Sequence, residues 1–253
     1  LVPVRDMVLM PGTLFPVVIG RQASVLAVQQ ALREERPVGI VLQRDAEVAA
    51  PGINDLHAMG TEANVLRYVG MPDGNHQLVV QGLQRVRLRE LAQERPFLAA
   101  RFEALEDAEE KDNEAEARLL HLKQQAMEAL QLLPQVPQQL VAAVQGMSAS
   151  GALADLIAAY LDLEAAEKQQ VLETEDVPAR VDQVSAFLAK RIEVLRLSQE
   201  IGQRTKASLD EHQRQAILRE QMATIQRELG EDEGRKQEVA ELSEVIDKAG
   251  MPE

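Results

Sequence analysis

The hydrophobic positions follow one pattern in the first 105 residues and another in the rest of the chain. Up to residue 105, short apolar runs lie between turn residues, and this stretch holds 8 of the 14 Gly and 7 of the 11 Pro. Because Gly and Pro punctuate short elements, the pattern predicts strands and turns. Beyond residue 105, apolar residues recur every three or four positions, which predicts helices.

The first 105 residues predict a β-rich domain. Val38–Leu42 is an unbroken apolar run that predicts a buried strand, and residues 85–89 alternate strictly, which predicts a half-buried one. The turn sequence Pro-Asp-Gly-Asn at 72–75 predicts a hairpin. The hairpin strands and the last strand are expected at 63–71, 77–81 and 97–105. One helix, with Ser24 as its possible N-cap, interrupts five to seven strands, so we expect a small barrel or folded sheet.

Two apolar features of this domain each permit two interpretations. The segment 10–16 is an apolar loop bounded by prolines, and its Leu14 and Phe15 either fill the core or form an exposed patch that grasps peptide. Val79 points away from the inward face of its strand, so it is either a lone surface valine or part of that patch. The candidate substrate-binding residues are Met10, Leu14, Phe15, Pro16 and Val79.

Residues 106–177 predict a helical bundle. An acidic run at 106–116 is expected to be a solvated linker and first helical turn. Helices are expected up to Pro134, over 136–147, from Ser150 as a cap, and over 164–172. These helices are expected to form an apolar core, and they contain no candidate catalytic residue.

Residues 178–230 predict one long helix, which would measure about 78 Å from Pro178 to Leu229 at 1.5 Å per residue. An apolar stripe from Val181 to Leu195 precedes a polar middle, and a second stripe follows before Gly230, a good helix stop. Two stripes imply that the two ends pack on different bodies. The second stripe, a candidate assembly surface, consists of Leu218, Met222, Ile225 and Leu229. Residues 231–253 are expected to form an acidic loop and a short helix over 236–249.

Composition excludes several classes of function. The net charge of −14 and an aromatic content of 2% disfavour binding to nucleic acid or to an anionic membrane. The chain has no Cys, so it has no disulfide, thiol nucleophile or thiolate metal site. No apolar run approaches the roughly 18 residues of a membrane span, and the first residues are not a signal peptide, so a cytoplasmic protein is expected.

No sequence motif for catalysis is present. A P-loop and a G-x-S-x-G nucleophile elbow are both absent, and the four histidines are scattered without metal-ligand spacing. We therefore expect no catalytic residue, no metal and no cofactor in these residues.

Three stretches resemble the N-terminal region of the Lon family of ATP-dependent proteases. They are the opening segment 3–11, the pair 153–158 with 167–173, and Leu-Arg-Glu-Gln-Met at 218–222 followed by Ile-Gln-Arg-Glu-Leu-Gly at 225–230. The chain departs from the family pattern at 215–217, where Gln-Ala-Ile replaces an acid and an aromatic pair. The resemblance covers essentially the whole chain.

The resemblance implies an α+β chain with three parts. They are a β-rich PUA-like domain (1–105) that recognises unfolded or damaged proteins and degrons, a helical bundle (106–177), and a long extended helix (178–230) that supports a hexamer. The segment 231–253 would lead to an ATPase module, which would use ATP and Mg²⁺, and to a Ser–Lys protease module. The alternatives are a self-contained holdase-like chaperone or scaffold, and an enzyme in its own right.

Overall fold

The chain forms an α+β protein, as predicted. A computed structural model describes residues 1–72, 74–108, 112–228 and 231–249. The strands are β1 (Val2–Val4), β2 (Leu14–Ile19), β3 (Val38–Leu42), β4 (Met59–Gly70), β5 (His76–Gln93) and β6 (Ala99–Leu105). The helices are α1 (Gln22–Arg33), α2 (Asn113–Gln131), α3 (Gln138–Gly146), α4 (Ser150–Tyr160), α5 (Ala165–Glu173), α6 (Val177–Glu228) and α7 (Glu231–Ala249).

The chain divides into two compact units, Leu1–Leu195 and Arg196–Glu253. The first unit contains the sheet, the helices α1 to α5 and the beginning of α6, whereas the second contains the rest of α6 and all of α7. The surface and the buried contacts described below, apart from the helical stripe, all lie within the first unit.

The sheet has the strand order β1-β3-β4-β5-β2, and β6 pairs with the second half of β5. β1 runs parallel to β3, while the other neighbours are antiparallel. β2 pairs with the first half of β5, with Pro16 opposite Val79. Register shifts within the β4–β5 and β5–β6 pairings mark irregularities in the two ladders, of the kind that bend strands.

The predicted strands are confirmed: β3 has the predicted ends, the ends of the others differ, and the strands predicted at 77–81 and 85–89 are one strand, β5. All five residues of β3 are buried, and the predicted hairpin joins β4 to β5. In the hairpin turn Gly74 has a φ of 84°, which suits a residue without a Cβ, and Asp73 lies outside the described residues. The half-buried strand predicted at 85–89 is part of the 18-residue β5, but its first two residues, Arg85 and Val86, are both buried.

Two predicted helix caps are wrong. α1 begins two residues before Ser24, whose side chain is buried inside the helix rather than capping it. Ser150 is the first residue of α4, and Ala149 occupies the cap position. For α2 the cap is Asp112, whose carboxylate accepts a hydrogen bond from the backbone N–H of Ala115 at 2.7 Å. Part of the predicted acidic linker, residues 109–111, lies outside the described residues.

Two main apolar cores form within the first unit. One lies between the sheet and α1 and includes Val28, Leu78 and Val80. The other fills the helical bundle and takes in the start of α6, where Val181, Val184, Leu188 and Ile192 are buried. The first apolar stripe of the long helix therefore packs on the bundle.

The later part of the chain differs from the prediction in one respect. The acidic loop expected at 231–234 is wrong, because α7 already begins at Glu231. The stop predicted at Gly230 lies outside the described residues, and α6 is described to Glu228. None of the described helices is both long and apolar enough to cross a membrane.

Candidate substrate-binding surface

The segment 10–16 is partly a buried turn and partly a strand. Met10 is fully buried and belongs to the core of the helical bundle. The Thr13 hydroxyl donates to the Met10 carbonyl at 2.7 Å, which closes the turn, and Gly12 takes a φ of 74°. From Leu14 onward the chain is β2. The side chain of Met10 is therefore part of the core. The prediction had placed it in an exposed apolar patch.

The other candidate residues of this segment are exposed to solvent. Leu14 is 58% exposed and Phe15 is 40% exposed, so the interpretation that both fill the core is wrong. Because side chains alternate along a strand, Leu14 and Pro16 share the outer face of the sheet, and Phe15 lies on the opposite face across from the buried Val80.

Val79 joins Leu14 and Pro16 on the outer face. It is directly opposite Pro16 on β5, and it is half-buried where its neighbours Leu78 and Val80 are fully buried. The structure therefore brings three of the five candidate residues onto one face and leaves Met10 and Phe15 off it.

Two further apolar residues complete this face. Val18 on β2 and Val69 on β4 lie on either side of Gln77 of β5, and they are 60% and 40% exposed. We call Leu14, Pro16, Val18, Val69 and Val79 the outer apolar face. Val18 was missed because the run 14–19 is apolar throughout, and Val69 because its place depends on the pairing of β4 with β5. The one available signal was Pro16, since proline within a sheet is confined to edges and bulges.

A group of buried charged side chains lies between the sheet and the bundle. The Arg85 guanidinium of β5 donates to both carboxylate oxygens of Asp155 on α4, at 2.7 and 2.5 Å. Arg180 of α6 approaches the same carboxylate to 3.6 Å and also pairs with Asp107. Arg85, Asp155 and Arg180 are each at most 3% exposed. Burial raises the pKa of Asp155, and its hydrogen bonds to Arg85 oppose that shift.

This cluster is a structural joint rather than a reaction centre. Arg85 also donates to the Leu172 carbonyl, and Gln169 donates to the Met59 carbonyl at 3.0 Å, so several bonds connect sheet and helices. His57 approaches Glu173 at the same junction, whereas His76 stacks on Tyr68. Among the described residues, no group of three or more His, Asp or Glu side chains is placed to hold a metal ion.

The candidate assembly stripe lies in the second unit. Leu218, Met222 and Ile225 are at least half exposed, and their spacing of four and three puts them on one side of α6. Leu229, the fourth residue of the stripe, lies outside the described residues. α7 carries a comparable exposed set in Val239, Leu242, Val245 and Ile246.

Comparison with known proteins identifies the family. The family model of the substrate-binding domain of ATP-dependent protease La (Lon) matches residues 1–190. The chain belongs to the Lon protease family. The matched range contains the outer apolar face and the buried Arg85–Asp155 joint.

Relatives extend the similarity beyond the matched domain. The chain is 54% identical to the Lon protease of Methylocella silvestris over 254 aligned residues and 56% identical to that of Phenylobacterium zucineum over 253. In both comparisons all of this chain is covered, but only 31% and 32% of the relative. The chain thus spans about a third of the length of the Lon proteases that it matches.

Solved structures agree on the fold. The N-terminal domain of the Mycobacterium avium complex Lon protease has a TM-score of 0.57 and 24% identity, with 74% of this chain and 96% of that chain covered. A Lon N-terminal domain protein from Xanthomonas campestris has a TM-score of 0.51 and 18% identity, with 73% and 94% covered. These two likenesses show a shared fold.

Proposed function

We propose that this chain is the substrate-recognition region of an ATP-dependent Lon protease and captures unfolded or damaged proteins, including those marked by degrons, for quality control. The outer apolar face is the observation that carries this proposal. Five apolar residues lie on one face of three neighbouring strands, around Gln77, and a group of exposed apolar residues on one face is typical of a protein-binding site. Unfolded chains expose the apolar side chains that folded proteins bury.

The rest of the protein's activity would belong to modules outside these residues. Cleavage would be carried out by a Ser–Lys dyad, and ATP with Mg²⁺ would drive unfolding and translocation in the cytoplasm. The role of this chain would be to hold a client while its own sheet stays fixed on the bundle through the Arg85–Asp155 joint.

Binding to a permanently unfolded protein tests the proposal. The probe is fluorescently labelled, reduced and carboxymethylated α-lactalbumin, measured by anisotropy against the native protein. The double variant Leu14→Ser/Val79→Ser should bind at least tenfold more weakly, since a tenfold loss corresponds to only about 1.4 kcal/mol, and burying one leucine is worth roughly 1.5–3 kcal/mol.

A matched control separates this surface from exposed apolar residues in general. Leu120 on α2 is as exposed as Leu14, at 58%, but lies in the bundle. Leu120→Ser should bind like the wild type. Equal losses in the two variants, or wild-type binding to native and unfolded α-lactalbumin alike, would contradict the proposal.

We also propose that the helical stripe of the second unit supports assembly into a hexamer. Exposed apolar residues that recur at helical spacing along one side of a helix favour helix–helix contact. Multi-angle light scattering of the full-length protease should show a smaller assembly for Leu218→Ser/Met222→Ser than for the wild type. An unchanged mass would refute this role.

A further inference from the structure

The strand β2 has an unpaired edge. Within the described residues β2 pairs with β5 alone, and β5 has β4 on its other side. Next to this edge lies a groove of about 750 Å³. The β2 residues from Phe15 to Ile19 form one wall, and residues 3–7 with the start of α1 form the other. The groove thus separates the two end strands of the sheet, β2 and β1.

The hydrogen bonds of Gly82, on β5, show which way the backbone groups of β2 point. Its N–H donates to the Thr13 carbonyl and its own carbonyl accepts from the Gly12 N–H, both at 2.9 Å. Both polar groups of Gly82 therefore face β2. Because an antiparallel ladder alternates, Val80 and Leu78 face β2 as well and bond to Phe15 and Val17.

The intervening residues Leu14, Pro16 and Val18 then direct their backbone groups away from β5. Of these three residues, Pro16 and Val18 line the groove, and they present one N–H and two carbonyls to it, since Pro16 has no N–H. A proline at this position costs no ladder bond, which is consistent with an open edge. An extended peptide can pair with an edge of this kind, because main-chain hydrogen bonds provide affinity without requiring a particular sequence.

The opposite wall is less available for pairing. The Arg21 guanidinium donates to the Pro3 carbonyl of β1 at 3.3 Å and to the Gln43 side chain at 2.5 Å. The outward carbonyl of β1 is therefore already bonded. A peptide in the groove would find its backbone partners on β2.

The groove also has a positive side. Arg5 and Arg21 both line it, together with Asp6, and neither arginine forms an ion pair with any described residue. Burial lowers the pKa of Arg21, and the nearby positive charge of Arg5 lowers it further. Arg5 is exposed, and its side chain makes no hydrogen bond to any residue that the structure describes, so it can meet an incoming carboxylate.

We propose that an extended client segment adds to β2 as a further strand and places an Asp or Glu side chain against Arg5. This proposal rests on the proposed function and specifies how the client is held. The added strand would extend the sheet beside Pro16 and Val18, so its outward side chains would continue the outer apolar face. Folded proteins have few unpaired extended segments, so this mode selects unfolded clients.

Capped ten-residue peptides test the proposal on the full chain. One peptide alternates Val and Thr around a central Asp, and its partner has Lys in place of Asp; both are labelled and measured by anisotropy. The wild type should prefer the Asp peptide at least fivefold at low salt. Arg5→Glu should reverse that preference, which a loss of folding could not do. Equal affinity for both peptides in both proteins would overturn the charge assignment.

A backbone substitution tests the strand pairing itself. Val18→Pro removes an N–H that faces the groove, whereas Val18→Thr changes the side chain and keeps the N–H. The Asp peptide should bind the proline variant at least tenfold more weakly than the threonine variant, with the circular dichroism of both unchanged. Equal affinities for the two variants would overturn strand addition. So would a concentration-dependent dimer that Val18→Pro abolishes, because the edge would then belong to a second copy.

Carboxymethylated α-lactalbumin separates this proposal from the proposed function. If it binds the wild type, loses affinity in Leu14→Ser/Val79→Ser, and binds both Val18 variants and Arg5→Glu equally well, client capture stands and strand addition is wrong. If carboxymethylated α-lactalbumin does not bind the wild type at all, the proposed function is wrong.

Discussion

Removing the carboxylate of Asp155 should destabilise the first unit more than any surface change. This carboxylate is 2% exposed, and it accepts two hydrogen bonds from Arg85 and lies 3.6 Å from Arg180. Asp155→Asn keeps the shape but turns one acceptor into an N–H₂ group that faces the Arg85 donors. Two buried guanidinium groups would then share only Asp107, which is 34% exposed.

The expected cost is that of breaking a buried ion pair, about 3–5 kcal/mol. For a unit of this size each kcal/mol lowers Tm by about 2–4 °C, so the variant should melt roughly 6–20 °C below the wild type. Urea unfolding followed at 222 nm gives the free energy, and calorimetry gives Tm. Asp155→Asn should weaken the contact between β5 and α4, so cleavage by an added protease between the sheet and the bundle should also increase.

The pair Arg87–Glu175 is the matched control. It also runs from β5 to the helical side of the junction, but its side chains are 29% and 47% exposed. Glu175→Gln should cost less than about 1 kcal/mol, as exposed pairs do. In addition, Arg85→Met/Asp155→Leu should cost less than the sum of its single variants, because each single variant leaves one charge of the pair buried without its partner and the double variant removes both. If Asp155→Asn lies within about 1 kcal/mol of the wild type, the reasoning is refuted.

Other predictions concern single positions. A Cβ on Gly82 would lie 2.5 Å from the Met10 carbonyl oxygen, so Gly82→Ala should lower the free energy of unfolding by about 1–3 kcal/mol. A Cβ on Gly146 would have nothing within 4 Å, so Gly146→Ala should be neutral or stabilising. Urea titration distinguishes the two variants. Met10→Ala should cost about 2–5 kcal/mol in the same titration, yet leave the affinity for unfolded α-lactalbumin unchanged. Leu218→Ser/Met222→Ser should leave the calorimetric Tm of the first unit unchanged, since both side chains are exposed; a lower Tm would contradict that placement.

Local patterns predicted most of the elements. The turn residues at 72–75 and the apolar runs on either side were enough for the β4–β5 hairpin, because reversal and alternation are encoded within a few residues. The spacing from Val181 to Ile192 likewise predicted which side of α6 is buried. Caps were less predictable: Ser24 and Ser150 have capping side chains, but both lie within their helices and not at the cap positions.

The candidate site was only partly predictable. The sequence indicated that 10–16 is apolar, yet one apolar segment supplies both a core residue, Met10, and an exposed one, Leu14. That division depends on where β2 begins and on its register with β5, which places Pro16 opposite Val79. Val69 joins the surface only because β4 pairs with the other side of β5.

The sequence by itself determined the α+β class, the strand-rich beginning, the helical remainder and the resemblance to the Lon family, because periodicity and motifs are properties of neighbouring residues. Only the tertiary structure decided which apolar residues share a face and why Arg85, in a strand expected to be half-buried, lies at 3% exposure. Its partner Asp155 is 70 positions away in the chain. A buried charge is tolerated only beside its counter-charge, and no local pattern specifies a contact made over that separation.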